Sequence, residues 1–323
     1  MNMTRFVVIL QILVAGSMAA QERGVNILPR SPRALANSDI GQSAQLRVDS
    51  NLVLVPVLVT DPADRLVTGL NKDYFRVYDN NVEQEIRHFV IEDAPVSVVL
   101  VFDSSGSMGE KLQTSREAVH QFLTSANPED EFALVEFSDR GRLTVPFTQD
   151  FGEVETRLLA SESRGSTSLI DAVWLALDQM KHAHNSRKAV LILSDGGDNR
   201  SRHSARELKR RVNEADVQIY SIGIMNPISG RFGTPEEGNG AELLNDIAMD
   251  SGGRLFEVDH LESLSRIAVK IATALRNQYL LGYSPSAVKN DGQFHRIIVK
   301  LQQQAIGQTK LRATFRSSYR APE

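Results

Sequence analysis

Apolar residues along this chain follow two different rhythms, and the changes between them divide it into segments. From Val48 to about residue 93 apolar and polar positions alternate, as they do in half-buried antiparallel strands. Leu52–Val59 is rich in aliphatic and β-branched residues and runs into the turn signal Asp61-Pro62. Pro56 lies inside that run, where the missing N–H predicts a sheet edge or a bulge. Tyr74–Tyr78 and Glu85–Val90 alternate again, on either side of a turn at Asp79-Asn80-Asn81. No helical period interrupts them, so residues 48–94 are expected to be all β.

From residue 95 the rhythm changes. Val96–Phe102 is a continuous apolar run, the pattern of a parallel strand covered on both faces. Lys111–Ser125 has its apolar residues at helical spacing, at Leu112, Ala118, Val119 and Phe122. Strands are predicted at Phe132–Phe137, at Leu143–Phe147 on an edge, and at Ala189–Leu193, Val217–Ile224 and Leu255–Val258. Helices are predicted over 169–180, 203–215, 241–250 and 261–277. Strands alternating with helices predict a doubly wound, mostly parallel six-stranded α/β sheet over residues 95–277.

After Asn277 the alternation returns at Tyr279–Tyr283, His295–Leu301 and Leu311–Arg316. Neither flank has the roughly seven strands usual for a sandwich. The expected architecture is therefore an α/β domain inserted into a small β-sandwich, built from residues 48–94 and 278–323 together.

The beginning of the chain has a third character. One positive charge in Met1–Arg5 precedes an apolar run from Phe6 to Gly16, and Ser17 and Ala19 place small residues at both specificity positions of a signal-peptidase site. The run is well short of the ~20 residues that span a bilayer as a helix. Residues 1–19 are expected to be a cleaved signal peptide, with cleavage after Ala19 or Ala20. Residues 20–47, polar and interrupted by Pro29 and Pro32, are expected to be a flexible leader. The mature protein is then exported, periplasmic or secreted, with no stable membrane insertion.

Composition narrows the chemistry. The 323 residues carry no cysteine, which removes disulfides, thiolate metal sites, cysteine nucleophiles and a lipoprotein anchor. A formal net charge of −4 gives no basis for nucleic-acid binding. What remains lies at strand ends, where open α/β sheets place their ligand sites. The run Asp103-Ser104-Ser105-Gly106-Ser107 presents one carboxylate and several hydroxyls from a single turn. Thr167 precedes the 169–180 helix in Arg164–Asp171, and Ser194-Asp195-Gly196 follows the strand at 189–193. Hard oxygen donors of this kind suit Mg²⁺, which favours octahedral coordination and keeps several waters.

This order, a hydrophobic strand running into DxSxS, G-x-T before a helix, and a hydrophobic strand running into SDG, resembles the von Willebrand factor A domain and its metal-ion-dependent adhesion site. The resemblance covers residues 95–276 and implies Asp103, Ser105, Ser107, Thr167 and Asp195 as the metal-site residues. It also implies a divalent metal, Mg²⁺ with Mn²⁺ or Ca²⁺ as alternatives, and an open coordination position for an acidic residue of a protein partner. The flanks, with Asn51–Asp61, Val67–Phe75 and Tyr279–Pro285, are similar to exported bacterial proteins of the acidobacterial VWFA-related type.

Other groups read as structural. Asp171 is expected to act on its own helix start, Asp198 to order its loop, and Glu136 to lie on a sheet face. The seven histidines show no metal-ligand spacing, and His182 and His184 read as a solvated loop. A phosphoaspartyl phosphatase needs a second Asp where Ser105 stands. No GxSxG, GxxxxGK[ST] or post-strand GxGxxG motif occurs. The expected function is an exported, metal-dependent binding or adhesion module, not an enzyme. A structural envelope protein using the metal domain as scaffold is the alternative, with a hydrolase behind it.

Overall fold

The computed structural model describes residues 52–91, 94–224, 235–258, 260–286, 291–302 and 310–322. The segments expected to be a signal peptide (1–19) and a leader (20–47) lie outside the described residues. Among those described, no helix is long and apolar enough to cross a membrane.

The first flank forms β1 (Val53–Thr60), β2 (Phe75–Asp79), β3 (Val82–Gln84) and β4 (His88–Ile91). Asn80 and Asn81 both have positive φ, 47° and 68°. Two such residues make the tight turn whose twist matches that of a β2–β3 hairpin. Glu85–Val90 was expected to be one strand, and it is not. The chain crosses between two sheets there, pairing β3 with β2 and β4 with a strand of the second flank, with Ile86 buried at the crossing.

The middle of the chain contributes β5 (Val96–Asp103), α1 (Leu112–Thr124), β6 (Glu131–Phe137), β7 (Gly141–Thr148), α2 (Phe151–Leu159) and α3 (Leu169–Gln179). It continues with β8 (Arg187–Ser194), α4 (Ala205–Glu214), β9 (Gln218–Gly223), α5 (Pro235–Asp250), β10 (Arg254–Glu257) and α6 (Leu264–Arg276). The six strands form one sheet in the order β10-β9-β8-β5-β6-β7, parallel except for β7. One core packs α1, α2 and α6 on one face, and the other packs α3, α4 and α5 on the opposite face. Every residue of β5 is buried, which explains its unbroken apolar run. Helix α2 had no counterpart in the sequence prediction. Only Val154 and Leu158 anchor it, too few to display a period, and Asp150 caps it by accepting from the Gly152 amide at 3.0 Å.

The second flank adds β11 (Tyr279–Tyr283), β12 (Phe294–Leu301), β13 (Arg312–Thr314) and β14 (Ser318–Arg320). The stretch expected as one strand over 311–316 ends at Thr314, and the chain then changes sheets. Two four-stranded antiparallel sheets result, β13-β1-β11-β4 and β14-β12-β2-β3, each drawing strands from both flanks. They share a core that includes Val55, Val57, Phe75, Val77, Tyr279, Leu281 and Ile297. Pro56 pairs with Leu280 of β11, while β13 joins the other side of β1 only from Leu58 onward. The proline thus sits where that side of the strand has no ladder to lose.

A buried carboxylate holds the flanks together. Asp79 of β2 accepts from Tyr319 Oη at 2.8 Å and Tyr283 Oη at 3.1 Å, and His295 Nδ1 lies 3.1 Å from its other oxygen. All three partners come from the second flank. Residues 48–94 alone would bury too little apolar surface for a stable fold and would leave Asp79 without partners. Expressed as a fragment, 48–94 should show no cooperative thermal transition by circular dichroism. Residues 95–277 should show one, and the chain from residue 48 onward should unfold with both sheets intact up to its transition.

Candidate metal centre

β5 and β8 are neighbours in the sheet, and between β8, β5 and β6 the chain reverses the direction in which it adds strands. Such a switch point opens a crevice beyond the carboxyl ends of the strands. Asp103 is the last residue of β5, and Asp195 follows Ser194 at the end of β8. The parallel register that sets Phe102 opposite Leu193 thereby brings two acidic residues to one place.

Asp103 has no exposed surface. One of its oxygens accepts from the Ser105 amide at 2.9 Å and the other from Ser194 Oγ at 2.5 Å. Burial, and then the charge of Asp195, push its carboxyl up to about 6 from an ordinary value of 3.8. The hydrogen bonds favour the ionised form but do not outweigh lost solvation. Asp195 is nearly buried, and its Oδ2 accepts from Lys111 Nζ at 3.1 Å.

The hydroxyl residues are carried on loops that are tied to one another. Ser105 Oγ and Ser107 Oγ stand 3.1 Å apart. The Gly106 amide donates to the Gly165 carbonyl at 3.0 Å, and Ser163 Oγ to the Ser105 carbonyl at 2.5 Å. These bonds join the loop of Asp103 to the one that precedes α3. Asn199 then joins the latter to the loop of Asp195: its Oδ1 accepts from the Thr167 amide at 3.0 Å, and its own amide donates to the Thr167 carbonyl at 3.0 Å. Gly196 has φ +90°, a left-handed conformation that favours glycine. Gly240 of α5 approaches it so closely that a Cβ there would collide with the Gly196 backbone.

The donor set fits a hard divalent cation. It contains two buried carboxylates that repel one another, with the hydroxyl residues Ser105, Ser107 and Thr167 on two of the three cross-linked loops. Among the described residues no group of three or more His, Cys, Asp or Glu side chains could hold a metal ion. A metal held here would have to draw on Ser and Thr hydroxyls besides the two carboxylates, as a cation that keeps several waters can.

The two flanking aspartates make contacts beyond the expected ones. Asp171 lies in the first turn of α3, but its carboxylate accepts from the amides of Arg202 at 3.1 Å and His203 at 3.2 Å in the following loop. Asp198 does order its loop, accepting from Ser201 Oγ at 2.6 Å, and it also takes the Ile170 amide at 2.7 Å, capping α3 from outside. His184 is a loop residue, and its ring pairs with Glu131 at 2.8 Å. Ser194 and Lys111, which hold the two carboxylates, escaped the sequence reading. Ser194 stands inside the SDG run with nothing to show that it turns inward, and Lys111 lies at the end of a 3₁₀ turn far in sequence from Asp195.

The raised carboxyl has a calculable consequence. A folded-state value above the unfolded one means that the native state holds the proton more tightly. This contribution to stability is complete below about pH 4 and is lost as pH rises through 6. In EDTA at pH 7, Asp103→Asn should therefore be more stable than wild type by up to about 3 kcal/mol, and the two should converge below pH 4. Urea denaturation across that range measures it; equal stabilities at pH 7 would contradict the burial argument.

Residues 98–197 match the family model for the von Willebrand factor type A domain. Among curated proteins, the chain is 25% identical over 257 residues to inter alpha-trypsin inhibitor heavy chain 4 of Mus musculus, covering 69% of this chain and 26% of that protein. It is 26% identical over 187 residues to an uncharacterized protein of Borreliella burgdorferi, covering 51% of this chain and 54% of that one. The chain thus spans about a quarter of the mouse protein and about half of the bacterial one. Among solved structures, a von Willebrand factor type A protein from Catenulispora acidiphila is 13% identical with a TM-score of 0.47, over 84% of this chain and 75% of that one. The vWF domain of the type V pili tip protein Mfa5 from Porphyromonas gingivalis is 14% identical with a TM-score of 0.48, over 58% and 96%. The match over 98–197, set within the sheet order described above, shows that this chain carries a von Willebrand factor type A domain in that region.

Proposed function

We propose that Asp103, Ser105, Ser107, Thr167 and Asp195 hold one divalent cation, Mg²⁺ or Mn²⁺ with Ca²⁺ as the weaker candidate, and that the metal-bearing face binds a protein partner through an acidic residue. The observation that carries this reading is the burial of two carboxylates, Asp103 and Asp195, at the ends of adjacent parallel strands. Buried like charges are costly unless something compensates them, and a cation is the largest local charge that can do so. Ca²⁺ takes about six to eight oxygens, whereas Mg²⁺ keeps several waters and so asks for fewer of the carboxylate oxygens that Ser194, the Ser105 amide and Lys111 already engage.

In this reading the bound metal supplies an electrostatic anchor for an anionic group of the partner. The chain's own part is to hold the carboxylates rigid and to leave the serine and threonine side as dipoles only. A partner carboxylate then meets a cation less neutralised than it would be in an all-carboxylate site. Binding is favoured over catalysis because Ser105 Oγ and Ser107 Oγ face one another, Ser194 Oγ donates to Asp103, and among the described residues no site hydroxyl hydrogen-bonds an imidazole that could serve as a base. The 1–19 segment supports export, and the mixed-flank sheets support an α/β domain over 95–277 inserted into the sandwich.

Calorimetry should show about one Mg²⁺ or Mn²⁺ per chain for wild type and none for Asp103→Ala, with circular dichroism unchanged because the site lies on loops. Equal binding by both proteins would remove the assignment. Affinity capture from an envelope extract should recover a partner that EDTA releases. Thr167→Ala should weaken that capture by roughly tenfold or more while shifting the unfolding midpoint little. Capture at full strength in EDTA would move the partner surface elsewhere, to the sandwich.

A further inference from the structure

Next to the metal loops lies an open cavity of about 580 Å³, beyond the carboxyl end of β6. Glu136 and Arg142 are opposite one another in the β6–β7 register, so both side chains leave the same face of the sheet and enter it. Glu136 forms the buried floor. Arg157 of α2 donates to it through Nε at 2.5 Å, and Ser161 Oγ holds its other oxygen. Arg140, from the β6–β7 turn, and Arg164, from the loop after α2, complete the basic lining.

These guanidinium groups are unequally compensated. Arg157 is engaged by Glu136. Arg164 faces Glu162 at 3.7 Å, but the two side chains are 79% and 77% exposed, where solvent leaves little attraction. The Arg142 side chain makes no hydrogen bond and no ion pair among the described residues. Asp139, beside Arg140, is already used. Its Oδ1 accepts from the Ser166 amide at 2.9 Å, and that amide, with Arg200 and Arg140, holds its carboxyl below the ordinary range.

The cavity and the candidate metal centre share a wall. Ser104, between Asp103 and Ser105, lines the cavity, and its amide and Oγ both donate to the Phe137 carbonyl, at 2.8 and 3.0 Å. The Arg164 amide donates to the Ser104 carbonyl at 2.9 Å, so the arginine's backbone is pinned to the metal loop.

We propose that this cavity is a second carboxylate subsite, and that the partner is an acidic protein segment placing one carboxylate on the metal and a neighbouring one among Arg140, Arg142 and Arg164. The inference rests on the metal-dependent binding proposed above and adds the partner's chemistry to it. Guanidinium is a planar fork that matches a carboxylate with paired hydrogen bonds. The remaining lining favours a peptide over a densely charged polyanion. Asp139 and Glu162 repel successive sulfates or phosphates, whereas the exposed Glu162 can accept from the backbone amides that a peptide carries. Because the arginines are exposed, the subsite is screened by salt, and its contribution falls as ionic strength rises.

The test uses the full chain with saturating Mg²⁺ and fluorescein-labelled Gly-Ser peptides carrying either one Asp or an Asp and a Glu at stepwise spacings. Fluorescence anisotropy should show one spacing at which the second acid tightens binding about tenfold. That gain should vanish in the doubly substituted Arg140→Ala, Arg142→Ala chain, whose Mg²⁺ isotherm by calorimetry stays at the wild-type value, and it should shrink in high salt. The subsite is refuted if the second acid adds nothing at any spacing, or if its gain survives the double substitution. It is also refuted if heparin binds through the same arginines more tightly than every peptide, which would assign the cavity to a sulfated glycan. In each of these cases single-Asp binding that EDTA abolishes leaves the metal reading standing. Single-Asp binding indifferent to EDTA, together with a flat Mg²⁺ isotherm, overturns that reading itself.

Discussion

Asp103 ends a strand buried along its whole length with no solvent on its carboxylate, and the charge that acts on it across the crevice is that of another acid, Asp195. That juxtaposition follows from parallel pairing of β5 with β8, whose register ends with Phe102 opposite Leu193, so that Asp103 comes level with Ser194 and Asp195 follows one residue beyond. The surrounding loops are organised around the resulting electrostatic problem. Ser194 and the Ser105 amide donate to one carboxylate and Lys111 to the other, yet Asp103 still has its carboxyl pushed up to about 6. The protein's internal donors therefore stabilise the ionised pair only in part, which is the deficit that the proposed cation addresses.

Rigidity of the site comes from outside it. The Thr167 loop is held on one side through Gly165 and Gly106 and on the other through Asn199, while Asp198 caps α3 from the Asp195 side. Three loops from distant parts of the chain thus behave as one surface. Pre-placing donors in this way lowers the ordering cost of binding a cation. The adjoining arginine-lined cavity shares this framework through Ser104, so a partner that engages both would meet a surface already assembled.

The sandwich depends on a different buried carboxylate. Asp79 lies in the first flank, and its partners Tyr283, His295 and Tyr319 lie in the second. An acid in an apolar core destabilises the fold unless its oxygens are satisfied, so the first flank is at its most stable when the second is in place. The sandwich is also attached to the α/β domain, through Asp64 with Arg254 and Lys270 and through Gln278 with Gln218 at 2.9 Å. The flanks therefore embrace the ends of β9 and β10, on the side of the sheet where those strands begin.

The sequence by itself determined the alternation of strands and helices over 95–277 and the all-β flanks, because burial on one face or two writes a period into the chain. It also determined the hydroxyl and carboxylate residues of the candidate site, because DxSxS and SDG are contiguous runs at the ends of apolar strands. Pro56 and the Asn80-Asn81 turn were legible for a similar reason: their constraints are local to the backbone. Only the tertiary structure decided where Glu85–Val90 and Leu311–Arg316 break, since a strand that changes sheets keeps its apolar pattern through the crossing. It decided that Asp171 serves the following loop, and that Asp198 caps a helix it does not belong to. It also decided that Glu136 and four arginines line one cavity beside Ser104. Charge interactions act through space and leave no period in the sequence, so the partners of Asp103, Asp195 and Asp79 became visible only once the strands were paired.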